Sequence, residues 1–184
     1  GMLMSIKYVE GDLFASVLAD IDRDPVVIAH VCNDKGGWGS GFVVPLGRTF
    51  PESKKAYRDW HEKNVPVDYM PFEMGQTQLL AVDRTPITFI ANMVAQTLGG
   101  TRPLHYNHLA RCMDTVAKFV KEQRPARDFS IVAPMFGSGL AGGNWGFVEE
   151  LINDCWIRSG IDVTVHWMPG MTPQGWTPPL DTSP

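Results

Sequence analysis

Six short segments of the chain are rich in β-branched and apolar residues and end on turn formers: Ile6–Val9, Val26–Val31, Thr77–Val82, Thr88–Val94, Ser130–Pro134 and Val163–Trp167. Several are apolar without alternation, the pattern of strands covered on both faces. Between them the period changes. Pro51 to Glu62 opens with a proline suited to a first helical turn, and Leu109, Met113, Val116, Ala117 and Val120 recur at helical spacing. After Asn144, a suitable N-cap, the residues Val148, Leu151, Ile152 and Cys155 form one apolar stripe, which Gly160 should end. Strands alternating with helices predict an α/β fold. Three layers, α/β/α, are expected around a central mixed sheet of about six strands, with ligands at the carboxyl ends of the strands.

A length of 184 residues is that of about one domain. We place it at residues 1–168, followed by a Pro-, Thr- and Gly-rich tail, 169–184, that reads as loosely attached. With 16 basic against 20 acidic residues and no basic run longer than Lys54-Lys55, an electrostatic nucleic-acid binder is disfavoured. The longest uncharged stretch, Phe129 to Val148, contains Pro134 and five glycines, which speaks against a membrane helix. Cys32, Cys112 and Cys155 form no C-x-x-C pair and no disulfide framework. Gly1 reads as an added residue ahead of a native start, and no signal peptide follows it. These points predict a cytoplasmic protein. His105 and His108 have the spacing of metal ligands but no acidic or cysteine partner nearby, so neither a metal nor a cofactor is expected.

Two loops concentrate the candidate chemistry. Gly36-Gly37-Trp38-Gly39-Ser40-Gly41 follows the second strand through Asn33, and its glycines expose backbone N–H groups that an anion can approach closely. The loop also suits a mobile surface connection. It has neither the dinucleotide G-x-G-x-x-G spacing after a first strand nor the G-K-[ST] of a P-loop. Gly137-Ser138-Gly139-Leu140-Ala141-Gly142-Gly143 again follows a strand and precedes a helix. Two such loops in equivalent positions can enclose a diphosphate, assisted by the helix N-terminus near Asn144. Asp12, after Gly11 at the end of the first strand, reads on its own as an N-cap.

Taken in order, Gly11-Asp12-Leu13, then His30-Val31-Cys32-Asn33 with its glycine loop, then Gly137-Ser138-Gly139-Leu140 before a helix, resemble the macrodomain family up to about Met168. Trp38-Gly39-Ser40-Gly41, Pro51-Glu52-Ser53-Lys54-Lys55-Ala56-Tyr57 and Gly75-Gln76-Thr77 are most similar to the branch holding ADP-ribose-1″-phosphate phosphatases and terminal ADP-ribose-protein glycohydrolases. The resemblance implies an ADP-ribose ligand, or a derivative such as an ADP-ribosylated protein. It implies Asp12 on the adenine amino group with Leu13 beside it, Asn33 and the first loop (Gly36, Gly37, Trp38, Gly39, Ser40, Gly41) at the distal ribose, and the second loop (Gly137, Ser138, Gly139, Leu140, Ala141) around the diphosphate. Phe136 is expected to wall the ribose side and Trp167 or Met168 to pack on the adenine; each also suits ordinary core packing.

The glycohydrolases of this branch use a lysine after the fourth strand and an aspartate in the second loop, and we align these with Met93 and Ala141. Neither side chain can form an adduct with an opened ribose or relay a proton. His30 matches a histidine of the phosphatase-like members and is the candidate acid or base, its other reading being a histidine hydrogen-bonded in the core. The expectation is a hydrolase that removes a distal-ribose substituent, as a 1″-phosphate phosphatase or an O-acyl esterase. The alternative is a non-catalytic ADP-ribose binding module.

Overall fold

The computed structural model describes residues 4–139 and 141–179. Six strands form one sheet: β1 (Lys7–Glu10), β2 (Val26–Asn33), β3 (Thr77–Arg84), β4 (Ile87–Gln96), β5 (Ser130–Pro134) and β6 (Val163–Trp167). Their order is β1-β6-β5-β2-β4-β3, with β3 antiparallel to β4 and every other pairing parallel. The helices are α1 (Leu13–Ala19), α2 (Val43–Thr49), α3 (Pro51–His61), α4 (Tyr106–Gln123) and α5 (Trp145–Ile152), the last continuing through one π-helical turn, Asn153–Ile157. Mixed sheet, strand count and layering agree with the sequence pattern. None of the described helices is long and apolar enough to cross a membrane.

Parallel strands need crossovers, and the crossovers put helices on both faces of the sheet. That explains the unbroken apolar run of β2. Val27 and Ala29 point into a core shared with Leu109, Met113, Val116 and Val148 of α4 and α5, while Val26 and Ile28 point into a second core with Leu46, Tyr57 and Trp60 of α2 and α3. Pro51 takes the first position of α3 and Asn144 caps α5 by accepting the Gly146 N–H at 2.8 Å. Gly160, at φ +76°, lies just beyond the π turn, where a glycine relieves the left-handed conformation.

Helix α2 lies in the segment Phe42–Phe50, for which the hydrophobic pattern predicts no element. It contains Pro45 and Gly47, two weak helix formers. Burial of Leu46 and close packing of Gly47 on Trp38 hold it in place.

Of the tail, residues 180–184 lie outside the described residues. Residues 169–179 are fastened to the domain: the Gln174 carbonyl accepts the Trp145 N–H at 2.8 Å, and Trp176 packs on Tyr8 and Trp167, with ring centroids 5.1 and 5.5 Å apart. Proline and glycine disfavour regular structure there, but two aromatic contacts between partly buried rings and a main-chain bond hold the irregular chain in place.

Candidate functional site

Five parallel strands end on one edge of the sheet, and a cleft of about 1130 Å³ opens there. Residues at or beyond the end of every one of those strands line it: Gly11 to Phe14 after β1, Asn33 at the end of β2 and residues up to Val43 in part after it, Gln96 at the end of β4 and Thr97 to Gly99 after it, Met135 to Gly139 and Ala141 after β5, and Met168 to Pro173 in part after β6. The chain passes from β2 towards β4 on one side and returns through β5 towards β6 on the other. The strand order therefore reverses between β2 and β5, where open α/β sheets leave a crevice. The two glycine loops flank that crevice.

Asp12 does two things at the head of α1. One carboxylate oxygen accepts the Phe14 N–H at 3.1 Å, and the residue also lines the cleft. Leu13 is buried beneath it, and the Gly11 N–H donates to the Trp167 carbonyl at 2.8 Å, joining this corner to the end of β6. His166, absent from the sequence expectations, lines the same corner; burial pushes its pKa down, against the opposing influence of the Gly11 main chain and Asp12.

The first loop is organised by Asn33. Its Oδ1 accepts the N–H groups of Lys35 (2.9 Å) and Gly37 (3.0 Å), and its Nδ2 donates to the Gly37 carbonyl at 3.0 Å. This folds residues 33–37 into a tight turn. Gly37, Gly39, Ser40 and Gly41 then face the cleft, while two expected ligand residues do not. Gly36 turns towards α3, where a Cβ would lie 2.4 Å from the His61 ring. Trp38 is 4% exposed, packed on Tyr57 and edge-on to His30, filling the space under the loop.

In the second loop Gly137, Ser138, Gly139 and Ala141 line the cleft with Phe136 behind them; Leu140 lies outside the described residues. The Gly143 N–H closes onto the Gly137 carbonyl at 2.9 Å, and Ser138 Oγ donates to the Met135 carbonyl at 2.6 Å. No described group accepts the N–H of Ser138 or Gly139. The lining contains no lysine or arginine among the described residues, so an anion here is met by main-chain dipoles. A chain of net charge −4 can thus still receive a polyanion.

His30 lines the floor of the cleft from within β2 and is buried there. It is 1% exposed under the first loop, and its Nε2 contacts Asn92 Oδ1 at 2.5 Å. The donor direction follows from fixed carbonyls. Gln78 Nε2 donates to the Ala56 carbonyl, leaving Gln78 Oε1 to accept from Asn92 Nδ2, so Asn92 Oδ1 must accept from His30. Nδ1 is buried without a partner among the described residues, and burial lowers the pKa to about 4. Burial therefore favours the neutral ring. His30 also packs on Trp38 and Phe42, with ring centroids 5.7 and 5.8 Å away.

Met93 does not reach the cleft. Met93 is fully buried inside β4, which runs on to Gln96, so the position after the strand is Thr97. Gln96, Thr97, Leu98 and Gly99 form a wall of the cleft that went unnoticed in the sequence. The rule that ligands sit beyond strand ends pointed there, but the apolar run Thr88–Val94 masked the true end. No lysine occupies either position, and Ala141 does line the cleft. His105 and His108 have ring centroids 5.8 Å apart on α4, and no group of three or more His, Cys, Asp or Glu assembles among the described residues.

Fold and cleft together define an α/β domain with an open cleft at the strand carboxyl ends, flanked by two glycine loops. No family model matches the chain. It is similar to the structure of a macrodomain protein from Streptomyces coelicolor, with 37% identity, a TM-score of 0.71, and coverage of 89% of this chain and 99% of that one. The chain belongs to the macrodomain family. It is also 24% identical over 169 residues to an ADP-ribose 1″-phosphate phosphatase of Debaryomyces hansenii, covering 80% of this chain and 92% of the relative. Thermosipho africanus DarTG, solved in complex with ADP-ribose, shares the fold at 17% identity and a TM-score of 0.68, over 91% of this chain and 42% of that one.

Proposed function

We propose that the protein binds ADP-ribose in this cleft and hydrolyses a derivative substituted on the distal ribose, with the 1″-phosphate as the favoured substrate. The observation that carries this reading is the pairing of a carboxylate at one end of the cleft with two loops of exposed main-chain N–H groups flanking the strand-order reversal. Asp12 accepts the adenine amino hydrogens. The loops take the diphosphate. The likeness to phosphatases of the yeast relatives' type supports the choice of a phosphate ester.

In the reaction, water adds to phosphorus, the bond to the 1″ oxygen breaks, and ADP-ribose and inorganic phosphate leave. Main-chain N–H groups aimed at the phosphoryl oxygens stabilise the charge that builds there. His30 contributes by fixing the first loop from below.

One observation favours a second reading, a binding module without turnover. Apart from Asp12, the titratable side chains among the described lining residues are His30, Cys32 and His166, and all three are buried. The two readings separate when phosphate release from ADP-ribose-1″-phosphate is followed with chelator present, alongside calorimetry with ADP-ribose. Release above the buffer rate supports the hydrolase. Binding with no release leaves the module, and the absence of both removes ADP-ribose as the ligand.

A further inference from the structure

We propose that residues 169–176 form a strap that reads the adenosine ribose, admitting an ADP-ribose unit whose 2′-hydroxyl is free and rejecting one that carries a phosphate or a further unit there. This rests on the reading of the cleft as an ADP-ribose site.

The route of the strap carries the argument. It leaves β6 at Met168, beside the corner where the Gly11 N–H meets the Trp167 carbonyl and Asp12 begins α1. It crosses to the start of α5, directly after the second glycine loop, where the Gln174 carbonyl accepts the Trp145 N–H. Gly175, at φ +81°, lies so close to the Asn144 amide that a Cβ would come within 2.2 Å of Oδ1. The strap then turns back and is pinned by Trp176 between Tyr8 and Trp167. Between these anchors Met171, Thr172 and Pro173 face the cleft. With the base at Asp12 and the diphosphate at the second loop, the ribose joining them lies along this stretch.

The chemistry of the strap suits an unsubstituted sugar. Residues 169–179 carry no charge, and no lysine or arginine lines the cleft among the described residues. Met171 is 73% exposed, so a 2′-phosphate would keep part of its water, but what it loses against methionine, threonine and proline is returned by no cation. A hydroxyl loses far less.

The test compares ADP-ribose with its 2′-phosphate by calorimetry on the whole chain and on two variants. Wild type should prefer ADP-ribose at least about tenfold, equivalent to about 1.4 kcal/mol. Trp176→Ala unpins the strap and Thr172→Lys supplies a cation, and each should shrink the preference several-fold. Thermal unfolding checks that each variant is folded; if Trp176→Ala is not, Thr172→Lys decides alone. Equal affinity of wild type for the two ligands overturns the strap inference while leaving the ADP-ribose site standing. A preference that no folded variant reduces also overturns it. Failure of wild type to bind ADP-ribose at all removes the underlying reading instead.

Discussion

The hydroxyl of Tyr57, on α3, donates to the main-chain carbonyl of Asn33 at 2.5 Å and receives the Gly36 N–H at 3.1 Å. One fully buried side chain thereby ties the end of β2 to the first turn of the glycine loop. Tyr57→Phe keeps the ring and its packing on Trp38 but strands a donor and an acceptor, costing about 1–3 kcal/mol. Urea unfolding should register that loss, and calorimetry should show ADP-ribose binding several-fold more weakly. Reduced stability with unchanged affinity would mean that the loop keeps its shape without this tie.

His30 gives the protein a pH signature. Its pKa is pushed down from 6.5 to about 4 by burial, only partly offset by the bond to Asn92. Between those values the unfolded chain takes up a proton that the folded chain does not, so stability is full above about pH 6.5, falls as pH drops, and levels off below about 4. His30→Gln retains a donor towards Asn92 and removes the titration. The wild-type-minus-variant stability difference should change by on the order of 3 kcal/mol across that window. Turnover should show no inflection near pH 6.5, and a clear one that vanishes in His30→Gln would return the residue to direct acid–base work.

How far the sequence could be read depended on whether a feature was local. Ser130–Pro134 and Val163–Trp167 match β5 and β6 residue for residue, because both are short apolar runs bounded by polar or turn residues. The two loops announced themselves through glycines at fixed offsets from strands. Trp38, a single aromatic among glycines, has no period to mark it as core; its burial is decided by Tyr57 and Gly47, which come from other elements. The tail was opaque for the same reason, since Trp176 finds Tyr8 across 168 positions of sequence. Strand ends extended by pairing, as β4 is to Gln96 against Asn33, are likewise set by a neighbour.

Asp12 caps α1 and lines the cleft, and substitutions can separate the cap from the proposed contact with the adenine. Asp12→Ala removes the cap on Phe14 N–H and should cost about 1 kcal/mol of stability together with affinity. Asp12→Asn still caps the helix, but presents an amide where the proposed site sets a carboxylate against the adenine amino group. Thermal unfolding should find it near wild type, with ADP-ribose affinity down by about tenfold, as expected for a charge-assisted hydrogen bond made neutral. Full affinity in Asp12→Asn would move the adenine away from this corner.

The second loop offers the sharpest contrast, between two glycines two residues apart. Gly137 sits at φ +75°, and a Cβ there would lie 2.9 Å from Leu104 Cδ2 in the core, so Gly137→Ala should destabilise the fold itself by about 1–3 kcal/mol. Gly139 has neither constraint: its φ is outside the left-handed range and no atom lies within 4 Å of an added Cβ. The constraint on it in the proposed site is the approach of the diphosphate from the cleft. Gly139→Glu should unfold within about 0.5 kcal/mol of wild type, as surface changes usually do, yet lose ADP-ribose binding, because the carboxylate occupies and repels the diphosphate position. Gly139→Ala should show the same separation more mildly. Denaturant unfolding and calorimetry on the three variants measure both quantities, and undiminished binding by Gly139→Glu would take the second loop out of the site.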